Sequence, residues 1–410
     1  MDTSTQHSDS PGLTTVPGFE VAACSADVRG LGDGRLDLAL VRNNGPRFDA
    51  VALFTRNDVK AAPVLQGLKT LPGGVGQLEA ILINSGNANA CTGETGLQAN
   101  EALLQGVANA LRIDPARVLV CSTGRIGRQL PLERMSPRIP DLVEALSSSP
   151  EAGHAASRAI LTSDTRPKTI SLTADIGGTP VTLAGIAKGA GMIQPDMATM
   201  LAYIATDAAI GPDTLHALLS KVNQTTFNAI TVDGDMSTND TVVCLANGRS
   251  GLEIYDPESE AAAAFAGALH TACNYLAEAI VGDGEKISHV VEIQVEGAPS
   301  PQAADRVARA IGNSLLVKSS WYGADPNWGR ILDAAGYARV GLREDLLELY
   351  YEDAPVYIRG QEQSANLDEW KSIVRRRRFT IRLNLNLGPG CARILSTDLT
   401  EAYVDFNKSE

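Results

Sequence analysis

The segment from Phe379 to Leu387 alternates strictly between apolar and polar side chains, in the order FTIRLNLNL. Successive side chains of a β-strand point to opposite faces of its sheet, so this pattern predicts a half-buried antiparallel strand. The segment from Val291 to Val295 repeats the alternation, and the segment from Ile170 to Leu183 does so on both sides of a Gly-Gly pair. Since glycine pairs between alternating segments are typical of tight turns, we expect a β-hairpin there.

Other segments carry apolar residues at helical spacing, namely Leu103 to Leu111, Leu215 to Val222 and Phe265 to Ile280. This spacing predicts amphipathic helices, each with one apolar face to bury. Half-buried strands combined with such helices favour a layered α+β fold. Residues 1–16 are polar at their start, and we expect them to form a disordered tail.

Composition excludes several classes of function. The chain of 410 residues has 35 Lys and Arg against 48 Asp and Glu, a net charge of −13 that argues against binding to nucleic acid or to an anionic membrane. The longest apolar run, Ala261 to Leu269, is too short to span a bilayer. The polar N-terminus does not resemble a signal peptide, and the 6 cysteines are scattered as reduced thiols usually are. We therefore expect a cytoplasmic protein.

Common catalytic motifs do not occur in the sequence. The 5 histidines never form ligand-spaced pairs, so a metal site is not predicted. Neither a phosphate-binding Gly-Lys-Ser/Thr nor a Gly-x-Ser-x-Gly turn is present. An enzyme with this sequence needs a hydroxyl or thiol nucleophile that is activated in another way.

The segment from Lys188 to Leu201, KGAGMIQPDMATML, permits two interpretations. In the first, it is a buried loop whose methionines Met192, Met197 and Met200 fill gaps in the core. In the second, Thr199 becomes a nucleophile. A threonine at a chain terminus can use its own α-amine as general base, which requires that the bond after Ala198 is broken first.

This segment resembles the signature of the glutamate N-acetyltransferase/ornithine acetyltransferase family, whose members cut themselves before the threonine of an Ala-Thr-Met-Leu sequence. Further matching motifs occur in the same order along nearly the whole chain from about Pro17. They are VKAAPVLQG, INSGNANACTG, CSTGRIGRQLP and LTSDTRPK before the signature, and FNAITVDGDMSTNDT, GADPNWGRI and DLTEAYVDFN after it.

The resemblance implies an α/β/β/α layered fold built from two chains made by self-cleavage between Ala198 and Thr199. Residues 1–198 would form the α chain and residues 199–410 the β chain, in an α2β2 or larger assembly. The implied activity is transfer of an acetyl group from N-acetylornithine to glutamate in arginine biosynthesis. It proceeds by a ping-pong mechanism through an acyl-threonine and needs neither a metal nor an organic cofactor.

The resemblance also implies roles for individual residues. Thr199 matches the nucleophile, and Thr123 with Gly124 match the pair that stabilises the oxyanion. The residues that match substrate contacts are Thr162, Lys188, Thr199, Glu285 and Asn407. Among these, Lys188 suits a substrate carboxylate, and Glu285 suits the amino end of ornithine.

A few positions differ from the family pattern. Ala190 and Asp196 stand where Ser and Asn are common, and Lys286 and His289 replace a Gly and a Lys after Glu285. A lysine beside Glu285 predicts weaker selection of ornithine, as in a paralogue of a specialised pathway. Two other functions stay open from the sequence: an amidase or aminopeptidase with the same nucleophile, and a non-catalytic amino-acid-binding protein.

Overall fold

A computed structural model describes residues 3–6, 10–194 and 200–408, and of residues 3–6 it describes the backbone alone. The chain divides into two compact units. The first comprises residues 1–189, 195–228 and 236–280, and the second comprises residues 190–194, 229–235 and 281–410. None of the helices in the described ranges is long and apolar enough to cross a bilayer.

The first unit combines strands and helices. Its strands are β1 (Thr3–Gln6), β2 (Phe19–Cys24), β3 (Leu38–Asn43), β4 (Asp49–Phe54), β5 (Val75–Gln77), β6 (Ala80–Asn87), β7 (Val118–Arg125), β8 (Lys168–Ile176), β9 (Thr179–Lys188), β10 (Leu201–Thr206), β11 (Ala209–Ile210), β12 (Thr241–Ala246) and β13 (Glu253–Ile254). Its helices are α1 (Ala62–Thr70), α2 (Gly93–Leu111), α3 (Leu132–Met135), α4 (Ile139–Glu144), α5 (Pro150–Ala159), α6 (Pro212–Thr225) and α7 (Glu260–Val281).

Two main sheets make up this unit. One has seven strands in the order β1-β8-β9-β10-β12-β4-β5, the other has four in the order β2-β3-β6-β7, and β11 and β13 form a short pair. Alternate residues of β3 face two different cores, one on each side of the four-stranded sheet. Ala39 and Val41 belong to a core shared with the seven-stranded sheet, whereas Leu38 and Leu40 pack into a second core with α2 and α4. On the seven-stranded sheet, a Cβ on Gly185 would meet Leu276 of α7 at 2.8 Å. The unit is therefore layered α/β/β/α.

Strand β10 occupies the middle of the seven-stranded sheet. It pairs antiparallel with β9, where Leu201 lies opposite Lys188, and parallel with β12, where Leu201 lies opposite Thr241. The backbone N–H of Thr241 donates to the carbonyl of Met200 at 2.9 Å. The sheet therefore contains strands from both sides of the Ala198–Thr199 bond.

The second unit has one six-stranded sheet in the order β17-β16-β15-β18-β14-β19. Its strands are β14 (Val290–Ala298), β15 (Glu348–Tyr351), β16 (Ala354–Ile358), β17 (Gln361–Glu362), β18 (Arg378–Asn384) and β19 (Gly390–Thr397). Its helices are α8 (Pro301–Asn313), α9 (Leu315–Tyr322), α10 (Trp328–Gly336), α11 (Leu367–Val374) and α12 (Glu401–Phe406). The apolar face of α8, with Val307 and Ile311, packs on Ile293 and Ile394 of β14 and β19.

The predicted α+β class is confirmed, as are the hairpin, which is β8 and β9, and the three helices. The alternating segment after Phe379 forms β18, but this strand is antiparallel only to β15 and runs parallel to β14. The tail prediction needs correction as well. Residues Gly12–Thr15 form a 3-10 helix that buries Leu13, and Thr3–Gln6 pairs with β8.

Candidate functional site

The predicted oxyanion pair lies where β7 ends. Thr123 and Gly124 are opposite the last residues of the parallel strand β6, at a point where the register shifts. Gly124 has a φ of +132°, and a Cβ there would lie 2.3 Å from the carbonyl carbon of Gly86 and 2.5 Å from the nitrogen of Asn87. Both contacts are with backbone atoms, so the close approach of the two strands requires glycine at position 124. This requirement is independent of any role of the Gly124 N–H group in binding an oxyanion.

Asparagine side chains hold this strand end in place. Asn239 Nδ2 donates to the carbonyl of Ser122 at 2.9 Å and to that of Ala88 at 2.6 Å. The Ser122 hydroxyl donates to Asn84 Oδ1 at 2.6 Å, and these side chains are buried. Buried polar groups with good partners restrict a turn to one conformation, so the backbone before Thr123 is well defined.

Lys188, the last residue of β9, reaches the predicted oxyanion residue. Its Nζ donates to Thr123 Oγ1 at 3.4 Å, and its side chain is 9% exposed. The two residues come from different sheets and are 65 positions apart. The structure therefore brings together two of the residues that the sequence motifs single out.

Asp164 is the carboxylate of this cluster. Its Oδ1 accepts from Lys168 Nζ at 2.6 Å and from the backbone N–H of Gly189 at 2.7 Å, and its Oδ2 lies 3.8 Å from Lys188 Nζ. Burial by itself raises the pKa of this carboxyl group. The ammonium groups of Lys188 and Lys168 together outweigh burial and hold the pKa well below its usual range.

Thr162 belongs to the same cluster through its backbone. Its N–H donates to Asp164 Oδ2 at 3.0 Å, and its carbonyl accepts from the Arg35 guanidinium at 3.1 Å. Asp164 is thus in contact with Thr162 and Lys188, two of the predicted substrate contacts. We call Thr123, Thr162, Asp164, Lys168 and Lys188 the lysine cluster.

In the second unit, Glu285 and Asn407 lie together. Asn407 Nδ2 donates to Glu285 Oε2 at 3.2 Å, and the N–H of Glu285 donates to the carbonyl of Ala190 at 2.9 Å. A Cβ on Gly191 would meet the Glu285 carboxylate carbon at 2.4 Å. The structure therefore joins these two predicted substrate contacts to each other and to the start of the signature segment.

Asp233 holds the next residues of that segment. Its Oδ2 accepts from the N–H of Met192 at 2.6 Å, and its Oδ1 accepts from the N–H of Ile193 at 2.8 Å. Met192 has a φ of +56°, which non-glycine residues adopt rarely. The Ile193 carbonyl accepts from Val232 at 2.6 Å, and the Gln194 side chain contacts Thr231 at 3.4 Å. Residues 192–194 are thereby fixed.

Three of the residues that differ from the family pattern, Ala190, Lys286 and His289, lie in the described part of the chain. Lys286 Nζ lies 5.1 Å from the centre of the Phe406 ring, a cation–π contact. The Nδ1 of His289 lies 3.1 Å from Asp398 Oδ2, and its ring packs edge-on against Phe379. Ala190 is buried.

Several predicted residues lie outside the described part of the chain, namely Asp196, Met197, Ala198 and Thr199. Of the remaining methionines in the signature segment, Met200 is buried but Met192 is 41% exposed. The interpretation of this segment as a loop whose methionines fill the core is therefore wrong for Met192.

Sequence reasoning missed the residues that support the lysine cluster. Asp164 stands within LTSDTRPK, and Asn239 and Asp240 stand within MSTNDT, so the motifs contained them. Asp240 is buried beside Thr55 and Ser237, and its Oδ2 has no partner among the described residues. Burial raises the pKa of this carboxyl group well above its usual value. The sequence signal that could have identified these three residues was their position as polar side chains within long motifs.

An α+β fold with a cationic lysine held against a threonine hydroxyl beside a glycine turn fits an enzyme of acyl transfer. Comparison with known proteins identifies the family: residues 20–409 match the model described as the ArgJ family. The chain belongs to the ArgJ family.

Relatives and solved structures agree with this family. The arginine biosynthesis bifunctional protein ArgJ of Geobacter sulfurreducens is 44% identical, over 96% of this chain and 98% of the relative. The protein of that name from Dehalococcoides mccartyi is 40% identical, over 96% of each chain. A crystal structure of the ArgJ protein of Bacillus halodurans is 37% identical with a TM-score of 0.50, over 52% of this chain and all of that one. The predicted class, an acetyltransferase of arginine biosynthesis, is confirmed.

Proposed function

We propose that this chain cuts itself between Ala198 and Thr199 and then transfers acetyl groups from N-acetylornithine to glutamate through an acetyl ester on Thr199. Self-cleavage begins when the Thr199 hydroxyl oxygen attacks the Ala198 carbonyl carbon. The carbon–nitrogen bond breaks, the amine takes up the hydroxyl proton, and water hydrolyses the ester that results. The products are a carboxylate on Ala198 and a free amine and hydroxyl on Thr199.

In the transfer reaction, the Thr199 amine accepts the hydroxyl proton while the oxygen attacks the acetyl carbonyl carbon of N-acetylornithine. The tetrahedral oxyanion collapses, the carbon–nitrogen bond breaks, and the proton passes to the departing amine of ornithine. Glutamate then attacks the acetyl ester by the same steps in reverse. Thr123 and Gly124 are the donors we assign to the oxyanion.

One observation carries this proposal: Lys188 Nζ contacts Thr123 Oγ1, and Lys188 lies opposite Leu201 in the sheet. Leu201 follows Thr199 by two positions in the chain. The strand that continues from the proposed nucleophile therefore begins beside the lysine that touches the proposed oxyanion donor. The charge of the lysine cluster also suits substrates that carry a carboxylate.

The sheet supports the assembly of two pieces. A cut before residue 199 leaves β9 in one piece and β10 and β12 in the other, and these strands are neighbours in the seven-stranded sheet. Such pieces stay associated through backbone hydrogen bonds and a shared core. The Bacillus halodurans chain, matched over its whole length, corresponds to 52% of this chain, which agrees with a cut near the middle. An α2β2 assembly in the cytoplasm completes the proposal.

The names of the relatives and the residues of the second unit support the proposed substrates. The relatives are named for arginine biosynthesis. The Glu285 carboxylate, held by Asn407, is suited to a cationic amino end such as that of ornithine. The Lys286 ammonium group packs on the Phe406 ring, and we propose ornithine as the substrate on the strength of Glu285 and of the relatives' names.

A denaturing mass spectrum of the purified protein, before and after brief incubation with N-acetylornithine, tests the proposal. We expect two pieces that meet at Ala198 and Thr199, an acetyl increment on the C-terminal piece, and loss of the increment when glutamate is added. The variant Thr199→Ala, the matched control, should remain whole. An uncut native chain would contradict the mechanism, and loss of the increment to water alone would indicate a hydrolase.

A further inference from the structure

The lysine cluster contains a chain of contacts that leads from Asp164 to Thr123. Asp164 has a side chain that is 0% exposed, and it contacts the ammonium groups of both Lys168 and Lys188. Lys188 in turn contacts the Thr123 hydroxyl. The three functional groups are therefore connected in series, with the carboxylate at one end and the hydroxyl at the other.

The direction of the last contact determines what Thr123 can do. An ammonium group has three donors and no lone pair, so Lys188 donates and Thr123 Oγ1 accepts. A threonine hydroxyl has one hydrogen and two lone pairs. Because a lone pair faces Lys188, the hydroxyl hydrogen points away from the ammonium group and can be donated to an oxyanion.

Asp164 in turn determines the position and charge of Lys188. A buried ammonium group tends to lose its proton, and a carboxylate nearby stabilises the charged form. Asp164 cannot easily move, because Gly189 and Thr162 donate backbone N–H groups to its two oxygens at 2.7 and 3.0 Å. Gly189 directly follows Lys188, so Asp164 also holds the backbone that leads out of β9.

We propose that Asp164 is a positioning residue for acyl transfer: it fixes Lys188, and Lys188 orients the Thr123 hydroxyl toward the oxyanion. This inference rests on the proposed function, since it requires that Thr123 stabilises an oxyanion. It assigns a second task to Lys188, in addition to contact with a substrate carboxylate. It also explains why the cluster contains two lysines for one carboxylate: Lys168 anchors Asp164 while Lys188 faces Thr123.

The test measures Asp164→Asn in two backgrounds, the native chain and Thr123→Val. The rate of acetyl transfer is expressed per cut chain, with the cut fraction taken from a denaturing mass spectrum, so that slow self-cleavage does not enter. In the native background we expect kcat to fall about 10- to 100-fold, since a misplaced oxyanion donor loses much of its effect. In the Thr123→Val background the same change should lower kcat by less than about twofold.

The buried carboxyl of Asp207 offers a matched control. It accepts from the N–H of Thr182 at 2.8 Å in the same sheet, so Asp207→Asn should leave kcat unchanged. If Asp164→Asn does not fold, Asp164→Glu keeps the charge but displaces it, and its loss of kcat should depend on Thr123 in the same way.

Equal losses of kcat in the two backgrounds would overturn the inference, because Asp164 would then act without Thr123. An unchanged kcat in the native background would overturn it as well. The proposed function is tested separately by the native chain in the same experiment. A native chain that remains whole, or that takes up no acetyl group, would overturn both.

Discussion

The carboxylates of Asp164 and Asp233 accept hydrogen bonds from backbone N–H groups of residues 189–193, but the surroundings of the two carboxylates differ. Asp164, in the first unit, accepts from Gly189 and lies between the ammonium groups of Lys168 and Lys188. Its surroundings are dominated by charge. A neutral side chain of the same size at this position would keep the shape of the cluster and lose its electrostatics.

Asp233, in the second unit, accepts from the N–H groups of Met192 and Ile193, and the Tyr403 hydroxyl lies 3.4 Å from its Oδ2. These hydrogen-bond partners are neutral dipoles that define a backbone conformation, including the positive φ of Met192. The charge of Asp233 also acts on the buried Lys318 of the same unit. The stretch before the proposed cut is therefore held in two ways. Asp164 sets the charge of the site, and Asp233 sets the path of the chain.

The largest effect is expected on stability from Asp164→Leu. The change removes a counter-ion that two buried ammonium groups share, so the free energy of unfolding should fall by about 3–5 kcal/mol. Denaturant unfolding measures this change. Asp233→Leu, the matched variant, loses hydrogen bonds at a more exposed site and should cost less. An equal cost at the two positions would remove the distinction between them.

A pH-dependent effect is expected from Lys318, the buried cation of the second unit. Burial lowers the pKa of Lys318 from 10.5 to about 8, although Asp233 and Asp398 oppose the shift. Between these pH values the unfolded chain holds a proton that the folded chain has lost, so rising pH favours the folded state. The free energy of unfolding of the native chain relative to Lys318→Met should rise by about 3 kcal/mol from pH 8 to 10.5.

Denaturant unfolding of both proteins across this range measures the difference, in which the other titrating groups cancel. Below pH 8 the difference should be constant. A difference that falls as pH rises would mean that Asp233 and Asp398 raise the pKa of Lys318 by more than burial lowers it. Lys318 would then be a buried cation stabilised by carboxylates, as Lys188 is in the lysine cluster.

A smaller effect is expected on self-cleavage from Asp233→Ala. Without the two carboxylate oxygens that accept from Met192 and Ile193, the backbone before the cut is less restricted. We therefore expect cleavage to slow about tenfold, which corresponds to about 1.4 kcal/mol. The fraction of cut chain on a denaturing gel, followed after synthesis, measures the rate. Asp235→Ala, at an exposed position in the same motif, should cleave normally. Equal slowing in both variants would contradict a specific anchor.

The smallest effect is expected on substrate binding from Gly191→Ala. The new Cβ would lie 2.4 Å from the carboxylate carbon of Glu285, so the carboxylate has to move. We expect KM for N-acetylornithine to rise about fivefold with kcat nearly unchanged, about 1 kcal/mol of binding. Gly267→Ala, which has open space around its Cβ, provides the control. A change in kcat with constant KM would argue against Glu285 as a binding residue.

Local patterns predicted much of the fold. The β8–β9 hairpin depends on neighbouring residues and a glycine turn, so its sequence was sufficient. The parallel pairing of β18 with β14 depends on a segment far away in the chain, which alternation in one strand cannot reveal. Order at Leu13 was missed for the same reason, since that side chain is buried by partners distant in sequence.

The candidate site divides in a similar way. Motifs singled out Thr123 and Lys188, but their contact arises between two sheets and could not be derived from spacing. Asp164 stood within a motif, yet its role depends on Lys188, which is 24 positions further along the chain. Residue types in a motif can be recognised from sequence, whereas the connections between motifs require the fold.

A single time course by denaturing mass spectrometry tests the division of tasks between Asp164 and Asp233 most directly. Native protein, Asp164→Asn and Asp233→Ala would each be followed for the cut before Thr199 and for the acetyl increment from N-acetylornithine on the C-terminal piece. We predict that Asp233→Ala is cut slowly but that its cut chain is acetylated at the native rate, whereas the cut chain of Asp164→Asn is acetylated slowly. Slow acetylation in Asp233→Ala together with a native rate in Asp164→Asn would contradict this division of tasks.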